Sequence, residues 1–235
     1  MKKFGDPVPG WTPALPPVAQ VMEGRWAQLE PLDAEHHAAD LFRANSADDA
    51  IWDYLPYGPF SSAATYHRWV RDVQGKPDPM FFAIRDRGTG HLGGVASYLR
   101  VDPPVGCIEV GHINLAPELQ GSRVATEALV LMIAWAFANG YRRFEWKCDS
   151  LNIPSRRAAQ RLGFSYEGVF RQATIYKGRN RDTAWFAITD QDWPSLSEAF
   201  RVWLSPGNFT AEGRQIERLS DLTALVRVSS DPALG

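Results

Sequence analysis

Short apolar runs broken by Gly, Pro and charged turns alternate along the chain with longer segments whose apolar residues recur every three or four positions. Residues 24–32 alternate weakly and run into a proline, which predicts a first strand. Asp33 then caps a helix whose narrow apolar stripe is Ala38, Ala39, Leu41 and Phe42. A short helix is expected over 48–54, before the turn-rich residues 56–60, and Ser61 and Ser62 open another helix through Thr65, Trp69 and Val73. Residues 80–84 form a compact apolar strand, 85–90 a charged hairpin turn, and 91–101 a strand in which Gly93 and Gly94 predict a bend or a close backbone approach. The turn at 102–106 continues this antiparallel meander.

The chain is organised around residues 107–140. An apolar strand (CIEVGHINL) runs into a turn carrying Pro117, Gly121 and Ser122, and then into a long apolar helix over 124–138. Such a turn leaves the first N–H groups of the helix unpaired and aimed at one point, where an anion can satisfy them. Residues 141–148 form another strand, with Phe144, Trp146 and Cys148 on one face and Arg143, Glu145 and Lys147 on the other. Asn152 is an N-cap candidate, Pro154 fits the first turn of a helix reaching Leu162, and Gly163 suits its left-handed end. Two last strands, 164–170 and 183–189, are joined through 171–182. Helices over 195–204 and 211–225 precede a frayed terminus.

Three consecutive strands before the central helix make this an α+β chain with a mixed twisted sheet and helices on both faces, not a regular βαβ series. Residues 1–23 read as an extended N-terminal arm that Trp11 helps to dock, 24–190 as the main domain, and 191–235 as a C-terminal helical extension. There is no Gly-x-Gly-x-x-Gly after an early strand and no Walker lysine pattern.

Composition narrows the function classes. A net charge of -2 over 235 residues supplies no electrostatic reason for a nucleic-acid partner. The N-terminus breaks into Pro and Gly where an export signal needs an apolar run, and the most apolar helix carries Glu127, so a cytoplasmic chain without a membrane span is expected. Two cysteines, Cys107 and Cys148, form neither a disulfide framework nor, with the histidines, a metal-ligand spacing; no metal is expected. Twelve Phe, nine Trp and seven Tyr exceed simple core filling. Trp52, Tyr54, Tyr57 and Phe60 crowd one loop that either walls a substrate pocket or packs structurally.

Two stretches, LQGSRVATEAL after one strand and LNIPSRRAAQRLGF after the next, together resemble the GNAT superfamily of acetyl-CoA-dependent N-acetyltransferases, and within it the RimJ/RimL-like branch. The resemblance implies a GNAT-like fold over roughly residues 24–190 and acetyl-CoA as co-substrate. It also implies a CoA pyrophosphate cradle at Gln120, Gly121, Ser122, Arg123, Val124 and Ala125, where Arg123 replaces the family's internal glycine. That arginine must point away from the pyrophosphate or touch it. The strand before the cradle is expected to splay from its neighbour, offering the backbone of Ile113, Asn114 and Leu115 to the pantetheine arm and to the developing oxyanion.

By the same resemblance Ser155 lies beside the CoA sulfur as a proton-donor candidate, Asn152 touches CoA, and Arg156 and Arg157 either meet phosphate or are solvated. The glutamate that RimL-like enzymes use as a base is matched by Thr174, so the base falls to Glu109, narrowly preferred, or His112 on the central strand. These two face opposite sides unless a bulge intervenes. Each has a structural alternative: a carboxylate paired with an arginine, or a core histidine. Tyr176 joins Trp52, Tyr54 and Tyr57 as a substrate-pocket candidate. The expected activity is direct acetyl transfer to a primary amine, either a protein N-terminus if the cleft is open or a small amine if the aromatic loop closes it. The competing class is a non-catalytic CoA-binding sensor. Phe200 and Trp203 in the tail fit a homodimer or a tail folded back on its own chain.

Overall fold

The computed structural model describes residues 3–235. Eight strands form one sheet: β1 Met22–Glu23, β2 Ala27–Pro31, β3 Met80–Asp86, β4 Leu92–Asp102, β5 Cys107–Leu115, β6 Arg143–Asp149, β7 Ser165–Tyr176 and β8 Arg179–Thr189. Their order is β1-β2-β3-β4-β5-β6-β8-β7, antiparallel throughout except for the parallel pair β5 and β6. The helices are α1 Ala34–Asn45, α2 Ala63–Val73, α3 Arg123–Ala138, α4 Ile153–Arg161, α5 Trp193–Trp203 and α6 Leu219–Ala224. This is the expected α+β arrangement of a mixed sheet with helices on both faces.

The caps form where the sequence places them. Asp33 accepts from His36 N, Ser62 and Thr65 form a capping box, and Asn152 accepts from Ser155 N. Gly163 ends α4 at φ +87°.

Two cores lie on the two faces. Ile108, Val110, Phe144, Trp146 and Cys148 pack with α3, α4 and α5, while Phe81, Ala83 and Val95 pack with α1 and α2. The first core also takes in Ala14 from the arm and Leu196, Phe200, Trp203 and Leu219 from the tail. Phe200 and Trp203, 2% exposed each, therefore find their apolar partners within the chain. The arm is fastened where Trp11 Nε1 donates to Pro104 O at 2.9 Å.

Several elements differ from the sequence reading. The connection over 171–182 is mostly strand, because Lys177 (φ +48°) and Gly178 (φ +72°) make a two-residue turn that lets β7 and β8 run on into a tight hairpin. The helix expected over 211–225 shrinks to α6. Gly213 turns at φ +77°, and buried Asn208 holds the backbone of Trp203 and Glu217, which folds the preceding residues into a loop. The terminus is docked rather than frayed: Asp231 is 2% exposed and forms a two-pronged ion pair with Arg156 at 2.5 and 2.6 Å. Ion pairs at this sequence separation leave no periodic signal, so the strap was invisible in the sequence.

Glu127, the acid inside the most apolar helix, is likewise explained by tertiary contact. Its carboxylate accepts from the backbone N–H groups of Arg25, Trp26 and Ala27 at 2.5 to 2.9 Å, pinning the start of β2 to α3.

Candidate active site

The pairing of β5 with β6 runs from Cys107↔Arg143 to Val110↔Trp146 and stops there. The two strands then part, and the edge of β5 beyond Val110 that faces β6 has no strand partner. A cleft of about 950 Å³ opens at the parting, lined by Ile113, Leu115, Trp146, the turn 120–123 and the first turns of α3 and α4. At the same place β5 is bulged: Ser97 faces Gly111 and Val95 faces Asn114, so that His112, at φ +51°, and Ile113 together stand against Ala96.

At one wall of the cleft, Gly121 adopts φ +68° and Ser122 caps α3 by accepting from Ala125 N at 3.1 Å. Gln120 Nε2 ties the turn to Leu115 O at 3.0 Å. The N–H groups of Gly121, Arg123 and Val124 have no partner among the described residues. An Ala at position 121 meets no atom within 4 Å of its Cβ, so the glycine serves conformation and leaves open space for a ligand. This is a donor set for a phosphate oxygen. Arg123 lines the same cleft, and its guanidinium lies 3.7 Å from the centroid of Trp26 and 5.4 Å from that of Phe209.

At the other wall, Ser155 lines the cleft and its Oγ accepts from Trp146 Nε1 at 3.0 Å. Asn152 lines the cleft while its side-chain oxygen caps α4. Ile113 and Leu115 face the cleft, but Asn114 pairs across the sheet with Val95 of the second core and is 1% exposed, both its amide atoms unpartnered.

The bulge also places the two base candidates on one face. Glu109 and His112 share the face opposite α3, against the plain alternation of a strand. Glu109, 2% exposed, is held by Arg100 at 2.6 Å and Lys147 at 2.9 Å. Lys147 continues to Glu145 (2.7 Å), Glu145 to Arg143 (2.6 Å) and Arg143 to Glu167 (2.5 Å), an alternating ladder of charges across the sheet. The carboxylate preferred as a base is thus an ion-pair member with its charge committed to two cations. His112 carries no carboxylate. Its Nδ1 meets Tyr57 OH at 3.2 Å, and its ring lies between Tyr57 and Phe81 at centroid distances of 5.6 and 5.2 Å. Burial first, then the charges of Arg100 and Arg181, push its pKa down to about 4, so the ring is neutral at pH 7.

The aromatic loop divides its roles. Trp52 is 3% exposed, packed against Tyr57, Phe60 and Tyr66, and supports the loop from within the second core instead of lining a pocket. Tyr54 lines the cleft and donates to Leu151 O at 3.1 Å on the far side, and Lys177 Nζ reaches Trp52 O at 2.8 Å from the β7–β8 hairpin. The loop is therefore latched to the residue after β6 and to the β7–β8 hairpin. Thr174 is exposed on β7. Beside it, Tyr176 donates to Asp149 at 2.9 Å, its phenol pushed up to about 12 by burial and by that carboxylate. Asp149, 6% exposed, closes the end of β6, one residue beyond the strand expected over 141–148, and the alternation of β6 puts it on the face of Glu145 and Lys147. Among the described residues no cluster of His, Cys, Asp or Glu could hold a metal, and no helix is long and apolar enough to cross a membrane.

Comparison with known proteins agrees with this geometry. The family model described as an acetyltransferase (GNAT) domain matches residues 28–165. The chain is 40% identical to a GCN5-related N-acetyltransferase from Brucella melitensis, covering 92% of this chain and 100% of that one with a TM-score of 0.90. A GNAT-family structure from Chromobacterium violaceum is 38% identical, with 83% and 98% covered and a TM-score of 0.77. YdaF of Bacillus subtilis, a candidate ribosomal N-acetyltransferase by name, is 28% identical over 174 residues, 70% of this chain and 90% of its own. A parted parallel pair, an uncovered helix start beside it and a model match over more than half the chain converge: this chain belongs to the GNAT acetyltransferase family.

Proposed function

We propose that this protein moves the acetyl group of acetyl-CoA directly to a small primary amine. One observation carries the reading: β5 and β6 part at Val110 and Trp146, where the unpaired N–H groups of α3 and the hydroxyl of Ser155 open onto the same cleft. Acetyl-CoA supplies a thioester, whose carbonyl carbon is the electrophile. The pyrophosphate fits the N–H groups of Gly121, Arg123 and Val124, and the backbone of Ile113, Asn114 and Leu115 fits the amides of the arm and the carbonyl oxygen as it becomes an oxyanion.

We assign the proton of the incoming ammonium group to His112, which is neutral at pH 7 and has no carboxylate partner; it lies beside Tyr57, outside the residues that line the cleft, so the proton reaches it through water and this weak base passes it on to solvent, while Glu109 holds the ladder of charges instead. The neutral amine forms the N–C bond, the C–S bond breaks, and the sulfur leaves as a thiolate to which Ser155 donates. The second amine proton replaces the one given up by Ser155. The latch of Tyr54 on Leu151 and of Lys177 on Trp52 favours a small acceptor over a peptide chain.

A protein N-terminus is the second reading, favoured by the likeness to YdaF and to the RimJ/RimL-like branch. Thiol release from acetyl-CoA over a panel of small amines and N-terminal peptides separates the two. We expect kcat/KM for the best small amine to exceed that for every peptide by about tenfold or more, a difference of about 1.4 kcal/mol in transition-state binding. Peptides turning over faster would reject the small-amine assignment, and absence of acetyl-CoA binding in calorimetry would reject the family activity for this chain.

A further inference from the structure

Beside the main cleft, a second cavity of about 290 Å³ lies between α4 and the C-terminal segment, lined by Arg157, Gln160, Arg161, Ser220, Arg227 and Leu234. Three of these six residues are arginines, and none of the three forms an ion pair with a carboxylate among the described residues. The two nearest acids in sequence are otherwise engaged. Asp231 is taken by Arg156, and Asp221 accepts from the Ser220 hydroxyl.

Two of the guanidiniums are set by neutral partners. Arg161 donates to Thr126 Oγ1 at 3.1 Å and lies over Trp203, and Arg227 donates to Gln160 O at 3.0 Å. Arg227 Nε is buried without any partner. Burial alone shifts both guanidiniums downward, with no acid nearby to offset it. Converging cations with no counter-charge are costly unless an anion joins them.

The position of the cavity selects the anion. Arg157 and Arg161 line both this cavity and the main cleft, so the two spaces share a wall close to the N–H groups that suit a pyrophosphate. CoA carries one further phosphate, a monoester at the 3′ position of its ribose, within the same nucleotide. We infer that Arg157, Arg161 and Arg227 bind the 3′-phosphate of CoA, with the C-terminal segment, through Arg227 and Ser220, completing the nucleotide site. Ser220 and Arg227 fall outside the residues 28–165 matched by the family model, so this half of the site is a feature of the extension. The inference rests on the proposed use of acetyl-CoA.

The test is calorimetry on the full chain with three ligands: CoA, 3′-dephospho-CoA and inorganic phosphate. CoA is expected to bind about tenfold or more tightly than dephospho-CoA, the contribution of charge-assisted hydrogen bonds to a dianion. Arg227→Gln, at a residue that lines this cavity and not the main cleft, should lower CoA affinity about threefold or more while leaving dephospho-CoA binding unchanged, and millimolar phosphate should weaken CoA but not dephospho-CoA. Equal affinity of the unmodified protein for the two nucleotides overturns the inference and leaves the acetyltransferase reading standing. Equal affinity together with phosphate binding assigns the cavity to free phosphate and also overturns it. If neither nucleotide binds, the acetyl-CoA reading itself falls.

Discussion

Lowering the pH should cost this protein stability through His112. The ring sits in a pocket of Tyr57 and Phe81, with Arg100 and Arg181 adding positive potential and Asp78 opposing them, so its pKa falls from 6.5 to about 4. A group buried in its neutral form stabilises the fold fully above its unfolded pKa. That contribution is lost as pH falls from 6.5 towards 4, because the unfolded chain then binds the proton more readily than the folded one. The full shift corresponds to about 3 kcal/mol, and the part lost between pH 7 and pH 5 to about 2 kcal/mol. Urea denaturation at both pH values should show this loss in the unmodified protein and its absence in His112→Phe, which keeps an aromatic ring between Tyr57 and Phe81 without a titrating nitrogen. Carboxylates that titrate over the same range act in both proteins and cancel in the comparison. Equal pH dependence in the two proteins would refute the neutral, desolvated histidine, and with it the choice of His112 as the base.

Glu109→Gln leaves Lys147 and Arg100 short of a counter-charge and should lower unfolding free energy by about 3 kcal/mol, while the folded protein keeps kcat within about tenfold; a loss of kcat by three orders of magnitude at unchanged stability would restore Glu109 as the base. Arg123→Ala removes the contact with Trp26 and should cost about 1 kcal/mol of stability but change CoA affinity less than about threefold, since the guanidinium is engaged over the Trp26 ring and the cradle donors are backbone N–H groups; calorimetry and denaturation read the two effects separately. Asp231→Asn strips the buried charge from Arg156 and should destabilise by about 3 kcal/mol or more, measured by urea denaturation; a change below about 0.5 kcal/mol would mean that the strap is not held by this pair.

By itself the sequence determined most of the elements and the uncovered start of the long helix. Apolar periodicity placed the strands and the long helix, Asp33, Ser62 and Asn152 announced their caps, and the breaker residues between Leu115 and Arg123 located the uncovered helix start. These are local properties, governed by side-chain spacing and backbone chemistry within a few residues. What only the tertiary structure decided are matters of partnership across the chain. The bulge at His112 put both base candidates on one face, Arg100 and Lys147 then claimed Glu109, and Trp26 took the guanidinium of Arg123. Asp231 reached Arg156 across 75 positions, and Arg227 came to line a cavity with Arg157 and Arg161. No pattern of neighbouring residues encodes such pairings, because the energy of a buried charge depends on which opposite charge the fold delivers to it.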